Sequence, residues 1–277
     1  MENATPATKP YPNLKQAFII LLVLLGINVI VSIPLIILSY AFTKSMAYNP
    51  LMMLAAYGLT FILIILFGWR KKSRFLQKKY AFSFSGIPFF IYPLAFILTL
   101  CVLFLIDPLL NLIPMPDFLY RMFVQMFADK SWPTFVLMSI AAPVLEEMLF
   151  RGIILDGFLK IYSPQKAIIW SSVIFGIAHF NPWQFIGALI LGAVIGWLYW
   201  KTHSLLPGIF VHFVANTTSF VTSFFIDASQ AKDLTTRQLI GNNLLYFSLL
   251  AASIILSIFL LQYLNKRINS EQTIDTI

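Results

Sequence analysis

The chain has 277 residues, of which 59% are hydrophobic, 16% are aromatic and only 11% are charged. Soluble proteins are about 25% charged. This composition, with a mean hydropathy of +0.83, therefore excludes a disordered chain, a disulfide-stapled secreted domain and an ordinary soluble enzyme. The net charge of +8 indicates loops that face anionic lipid. It does not indicate nucleic-acid binding, because the basic residues lie between apolar runs and form no known reader motif. We expect an all-α, polytopic membrane helix bundle.

Eight apolar stretches follow one another along the chain, and most reach the roughly 20 residues that a helix needs to cross a bilayer. They lie at residues 17–40, 50–69, 88–112, 133–158, 166–181, 183–200, 204–225 and 242–264. The fifth and sixth are short and are separated by Asn181 and Pro182, so one bent hairpin is an alternative to two spans. We predict about eight transmembrane helices in a single integral membrane domain over residues 1–277.

The basic residues predict an orientation. If the N-terminus is cytoplasmic, most lysine and arginine residues fall on the cytoplasmic side, including the dense cluster at residues 70–79. Cytoplasmic loops carry an excess of positive charge, so both termini are expected in the cytoplasm. The short loops are typical of a bacterial membrane protein, and we interpret the cluster at 70–79 as a topology signal.

Two acidic residues lie inside the fourth predicted span, where a carboxylate at the bilayer centre costs about 2.5–3.5 kcal/mol. Glu146 and Glu147 are adjacent, so on a helix their side chains point about 100° apart and serve different purposes. Glu147 and Arg151 have the i,i+4 spacing and the acid-before-base order that favour an ion pair. Glu146 then lacks a partner on its own helix and needs one from another helix.

Few other polar side chains lie within the apolar runs. His179 belongs to the fifth stretch, and His212 and Asn216 share one face of the seventh because four residues separate them. Depths counted at 1.5 Å per residue from the predicted inner helix ends allow these side chains to meet Glu146. The predicted site is one carboxylate, two imidazoles and one carboxamide inside the bundle.

This set of groups supplies the parts of peptide-bond hydrolysis by water. A buried glutamate beside a histidine acts as a general base. Glu146, His179 and His212 are also candidate ligands of Zn²⁺, with a fourth position open for water. An asparagine and a histidine together donate hydrogen bonds to an oxyanion. The sequence contains neither G-x-S-x-G nor H-E-x-x-H.

Three motifs in these spans resemble the CAAX-protease and bacteriocin-processing (CPBP, or Abi) family of intramembrane proteases. The family pattern is E-E-x-x-x-R, then F-x-x-x-H, then H-x-x-x-N, each on a separate helix. The matching residues are Glu146, Glu147, Arg151, Phe175, His179, His212 and Asn216. The resemblance covers a protease core at about residues 133–222.

The resemblance implies a role for each of these residues. Glu146 would activate the attacking water with help from His179, while His212 and Asn216 would stabilise the oxyanion or help to hold a metal. Glu147, Arg151 and Phe175 would support the site. Family members are called metalloproteases, but a metal-free glutamate mechanism is also argued for the eukaryotic prenyl-protein relative. Bound Zn²⁺ and no metal therefore stay as two alternatives.

The expected activity is that of an intramembrane endopeptidase, with the lipid bilayer and a membrane-associated peptide or protein as partners and no nucleic acid. Two other functions stay open: a proton-coupled transporter, because buried Glu and His residues also form proton relays, and a non-cleaving membrane binding or scaffold protein. Family analogy suggests peptide maturation or bacteriocin self-immunity as the biological role.

Overall fold

The computed structural model describes residues 10–43, 49–225 and 235–274. Within these ranges the protein is helical and contains no strand. The helices are α1 (Leu14–Thr43), α2 (Pro50–Leu76), α3 (Ile91–Leu110), α4 (Asp117–Ala128), α5 (Trp132–Phe158), α6 (Pro164–Ile177), α7 (Pro182–Thr202), α8 (Leu206–Thr222), α9 (Thr236–Ile240) and α10 (Asn243–Ile274). The predicted polytopic helix bundle is confirmed.

The number of membrane spans differs from the prediction. In the described part of the chain, six helices are long and apolar enough to cross a membrane: α1, α2, α3, α5, α7 and α10. Helices α6 and α8, which occupy the fifth and seventh predicted stretches, have only 14 and 17 residues. Both are shorter than the roughly 20 residues required for a full crossing, so the expected count of eight is not confirmed.

Helix α5 is the central element of the bundle. About 56% of the residues in its apolar stretch are buried, against 22% for α1 and 17% for α10. The long flanking helices instead expose large apolar side chains, such as Leu22 and Ile30 on α1 and Ile255 on α10. This distribution suits a bundle whose outer helices face lipid while α5 is enclosed by other helices.

The backbone of α5 changes its winding twice. Segments Val136–Ala141 and Met148–Leu155 are π-helical, and the α-helical turn between them, Ala142–Glu147, carries both glutamates. A π-helical turn contains an extra residue, which rotates the following side chains, and such turns are frequent at functional sites. The direction in which Glu146, Glu147 and Arg151 point therefore depends on these two segments.

The buried apolar side chains form two clusters. The first joins α1, α2, α5 and α6, and the second joins α3, α8 and α10. Helix α7 contributes to both, with Ala188 and Tyr199 in the first cluster and Leu191 and Ile195 in the second. Because it lies between the two clusters, α7 fixes α8 relative to α5, and these two helices carry most of the predicted site.

Candidate active site

Glu146 has its closest partner on a different helix. The hydroxyl of Tyr57 on α2 donates a hydrogen bond to Oε1 of Glu146. The other carboxylate oxygen, Oε2, is buried, has no hydrogen-bond partner among the described residues and lies 3.8 Å from Nε2 of His212. One oxygen of this carboxylate is therefore fixed, and the other is free toward His212.

Glu147 holds two cationic or hydrogen-bonding groups at once. Its Oε1 accepts a hydrogen bond from Nη1 of Arg151 at 2.8 Å, as the i,i+4 spacing predicted. The same oxygen is 2.9 Å from Nδ1 of His212 on α8. A carboxylate only accepts hydrogen bonds. Nδ1 of His212 therefore carries a hydrogen and donates a hydrogen bond to Glu147. Glu147 thereby fixes the orientation of the imidazole and turns Nε2 toward Glu146.

Arg151 is enclosed although it is charged. Only 1% of the residue is exposed, and Glu147 beside it is fully buried. Its Nη2 also donates to the main-chain oxygen of Gly192 on α7 at 3.1 Å, and the guanidinium lies 4.5 Å from the ring centre of Phe175. A buried arginine is stable only when it is paired and hydrogen-bonded; both conditions are met at Nη1 and Nη2, while the buried Nε has no partner among the described residues.

Glu146, Glu147, Arg151 and His212 form one buried cluster, whose charges are considered together. Ionised Glu146 and Glu147 carry two negative charges, and Arg151 supplies one positive charge. Since an unbalanced charge is costly inside a protein, the group is neutral when His212 is doubly protonated or when Glu146 is protonated. The 3.8 Å approach of Glu146 to His212 places two groups capable of acid–base chemistry side by side.

Phe175 joins the second predicted histidine to this group. Its ring contacts His179 edge-on at a centroid distance of 5.0 Å and His212 at 5.8 Å. His179 lies two residues beyond the end of α6, in the turn toward α7, and not within a span as the sequence suggested. Its Nδ1 is 2.9 Å from the carbonyl oxygen of Phe175. This nitrogen therefore donates, and Nε2 remains free to accept.

Asn216 on α8 has a partner that the sequence did not reveal. Its Nδ2 donates to the main-chain oxygen of Met138 at 2.8 Å. In the π-helical segment the amide of Ala142 bonds to Leu137, and the next donor in that register would be residue 143, a proline without an N–H. Asn216 thus satisfies a carbonyl that Pro143 leaves open, and at least one of its two amide protons is used in this way.

Only some of the predicted site residues are in direct contact with one another. Direct hydrogen bonds or close charged contacts join Glu146, Glu147, Arg151 and His212. Within the described part of the chain, no hydrogen bond or ion pair joins His179 to Glu146, and the two are related only through Phe175 and His212. The functional assignments made for these residues from the sequence stay predictions.

Sequence reasoning missed two residues of α2, of which Tyr57 is partly buried. Tyr57 contacts Glu146 as described above, and nothing in a single apolar run indicates which tyrosine meets a distant carboxylate. Lys72, interpreted as part of a topology signal, is fully buried. Its Nζ donates to the main-chain oxygens of Gly152 and Ile153 at 2.8 and 3.0 Å and lies 2.6 Å from Oδ2 of Asp156. Lys72 thus secures the π-helical turn that carries Arg151.

The metal prediction finds no matching geometry. Among the residues that the structure describes, no three His, Cys, Asp or Glu side chains are grouped so as to hold a metal ion. The proposed trio of Glu146, His179 and His212 does not form such a group. Zinc binding stays a prediction for elemental analysis to decide.

Comparison with known proteins supports the motif assignment. Residues 128–218 match the model of a family described as "Type II CAAX prenyl endopeptidase Rce1-like". The resemblance of this region to the CPBP family is confirmed. The match covers α5 to α7 and most of α8, and it contains all seven residues that carry the motifs.

One curated relative lies in the same functional class by its name. A protein of Bacillus subtilis (strain 168), named "Putative membrane peptidase YdiL", is 34% identical over 82 residues, which is 30% of this chain. The matched part spans only 34% of that relative's own length. No solved structure matches the chain at a significant level.

Proposed function

We propose that the protein is an intramembrane endopeptidase that hydrolyses a peptide bond of a membrane-associated peptide or protein. The observation that carries this proposal is the 3.8 Å approach of the free Glu146 oxygen to His212, whose other ring nitrogen is fixed by Glu147. The peptidase names of the matching family and relative agree with it.

Glu146 is the general base of the proposed reaction. A water placed within about 2.8 Å of Glu146 Oε2 gives up a proton to that oxygen, and the resulting hydroxide attacks the carbonyl carbon of the scissile peptide. Enclosure of the site strengthens this step, because the charges interact without bulk water between them. The C–N bond of the tetrahedral intermediate then breaks as Glu146 passes its proton to the leaving nitrogen, so that the products are a carboxylic acid and an amine and Glu146 is ionised again.

His212 and Asn216 are the proposed partners of the oxyanion. Doubly protonated His212 donates from Nε2, while Glu147 holds the ring through Nδ1. Asn216 contributes the amide proton that Met138 does not use. Preorganised donors of this kind lower the barrier because they need no rearrangement when charge develops on the oxygen. His179 accepts a hydrogen bond from the attacking water through Nε2.

The test is to replace Glu146 by glutamine. Removal of a general base lowers turnover by about 10²–10⁴-fold, so Glu146→Gln is expected to accumulate normally in membranes and to lose cleavage. Glu271→Gln, the same change beyond the last membrane-spanning segment, is the matched control and retains it. Native membranes of both variants are compared by peptide mass spectrometry for polypeptides that accumulate uncut only with Glu146→Gln.

Two results would overturn this proposal. Cleavage by Glu146→Gln at the wild-type rate would show that Glu146 is not the general base. If the wild-type and Glu146→Gln membranes contain the same polypeptides, the protein does not cleave, and the transporter or scaffold function takes its place. The identity of the accumulated polypeptides also separates peptide maturation from bacteriocin self-immunity.

We also infer that both chain termini face the cytoplasm of a bacterial cell. The six helices of the described residues that are long enough to cross a membrane and the eight predicted spans are both even numbers, so either count places the two ends on one side, and the basic cluster at residues 70–79 favours the cytoplasmic side. A fluorescent protein that folds only in the cytoplasm, fused to either end, is expected to fluoresce. A dark fusion of normal abundance would contradict this orientation.

A further inference from the structure

We propose that Tyr57 is a positioning residue for Glu146, whose carboxylate it holds by Oε1 so that Oε2 faces the attacking water. This inference rests on the proposed role of Glu146 as a base. Tyr57 lies on α2, outside the matched region at residues 128–218 and outside all three motifs.

The two oxygens of Glu146 have different surroundings. Oε1 accepts a hydrogen bond from the hydroxyl of Tyr57, whereas Oε2 is buried, has no hydrogen-bond partner in the described part of the chain and is the oxygen that approaches His212. Rotation about the last side-chain bond of a glutamate is broad and roughly two-fold, so without a fixed donor the carboxylate would exchange or tilt its oxygens. The hydroxyl of Tyr57 removes this freedom.

The ring that carries the hydroxyl is itself fixed. Tyr57 stacks on Phe61, one helical turn further along α2, with centroids 4.6 Å apart and planes at 25°. Phe61 is buried in the first apolar cluster, which joins α2 to α5. The donor is therefore held by the same packing that places α2 against the helix of Glu146.

The hydroxyl also opposes a competing attraction. Glu146 lies within electrostatic range of Arg151 on the next turn of its own helix, and ion pairing there would draw the carboxylate away from His212. Glu147 already occupies Nη1 of Arg151. With Tyr57 on Oε1 as well, each glutamate keeps a separate set of partners, and Glu146 stays available for proton transfer.

The first measurement compares the effect of Tyr57→Phe on kcat with its effect on KM. A hydrogen bond to a charged group is stronger than one between neutral groups, so Tyr57→Phe is expected to lower kcat by about 10- to 100-fold with KM changed less than about twofold, measured on a polypeptide that accumulates uncut with Glu146→Gln. Tyr246→Phe is the matched control, because Tyr246 is also a tyrosine of a membrane helix but is buried and packs on Phe104 of α3. It is expected to match the wild type.

The second readout does not require activity. The infrared band of the Glu146 carboxyl group is identified as the band lost in Glu146→Gln, and it is expected to shift in Tyr57→Phe but not in Tyr246→Phe. Incorporation of 3-fluorotyrosine at position 57 keeps the fold and strengthens the donor. The band is then expected to shift in the opposite direction, which keeps the test valid if Tyr57→Phe accumulates poorly.

The outcomes separate this proposal from the proposed function. A band that Tyr57→Phe leaves in place, or a kcat that it leaves unchanged, overturns the role of Tyr57 while Glu146 remains the base. Full cleavage by Glu146→Gln instead overturns the proposed function, and with it any positioning role of Tyr57 in turnover.

Discussion

Glu147 and His212 are 65 residues apart in the chain, yet their side chains meet, with Oε1 and Nδ1 separated by 2.9 Å. The same oxygen also binds Arg151. Glu147 therefore does more than neutralise the arginine one turn away on its own helix. It connects α5 to α8 and fixes the imidazole that faces Glu146, so loss of Glu147 is expected to affect both folding and turnover.

Replacement of Glu147 by leucine is expected to reduce the amount of folded protein as well as activity. Loss of one partner from a buried ion pair leaves an uncompensated charge and costs about 3–5 kcal/mol. Accumulation in membranes and thermal unfolding in detergent measure the first effect, and peptide cleavage measures the second. Normal accumulation with lost turnover would place Glu147 among the reacting groups.

The double variant Glu147→Leu/Arg151→Met distinguishes charge burial from imidazole orientation. With both partners removed, no charge is left uncompensated, so accumulation is expected to recover in large part. Activity is expected to stay low because Nδ1 of His212 has lost its carboxylate acceptor. Recovery of both would show that the contact with His212 has no part in turnover.

Lys72→Met is expected to destabilise the protein by about 3–5 kcal/mol. The change leaves the carbonyls of Gly152 and Ile153 without this donor and deprives Asp156 of a buried partner. The control is Lys71→Met, which removes a positive charge from the adjacent, exposed position. Any effect of the lost charge on membrane topology is therefore common to both variants. Equal unfolding temperatures for the two variants would contradict a structural role of Lys72.

Gly152→Ala is expected to destabilise the protein because the backbone of α5 approaches the loop after α2 closely at this point. An added Cβ would lie 2.7 Å from Cδ1 and 2.8 Å from Cε1 of Phe82. Overpacking of this kind costs about 1–3 kcal/mol. Burial and the nearby Asp156 raise the pKa of the Tyr80 hydroxyl, so it stays protonated. This hydroxyl donates a hydrogen bond to the Gly152 carbonyl. The bond holds the loop against α5, so Phe82 cannot easily move away from an added Cβ.

Gly58→Ala is the control for this prediction. Nothing lies within 4 Å of a Cβ added there, and alanine has the higher helix propensity, so unfolding in detergent is expected at the same or a higher temperature. The combined variant Gly152→Ala/Phe82→Leu is expected to recover part of the lost stability. If it recovers none, the contact with Phe82 is not the cause.

Elemental analysis and chelation decide between the two forms of the mechanism. Because no three metal-binding side chains are grouped in the described ranges, we expect purified protein to contain much less than one zinc per chain and to retain cleavage after treatment with a chelator. One zinc per chain, with activity that a chelator removes and Zn²⁺ restores, would instead establish a metal-assisted reaction.

Composition and local spacing determined the class of the fold and part of the site. Long apolar runs leave only helices as membrane-spanning structures, and the i,i+4 spacing of Glu147 and Arg151 predicted an ion pair that is present at 2.8 Å. The motif order placed His212 and Asn216 on a different helix from Glu146, whereas His179 lies in the turn after α6. Each of these inferences depends on neighbours in sequence or on one helical turn, which a sequence specifies directly.

Only the tertiary structure decided which groups meet across helices. The contacts of Tyr57 with Glu146 and of His212 with Glu147, and the burial of Lys72, depend on how α2, α5 and α8 rotate and approach one another. That rotation depends in turn on the two π-helical segments of α5, one of which leaves a carbonyl to Asn216 because Pro143 has no N–H. Apolar patterning cannot specify such partners, since the apolar side chains of an enclosed helix are spread over all of its faces and packing decides which face meets which neighbour.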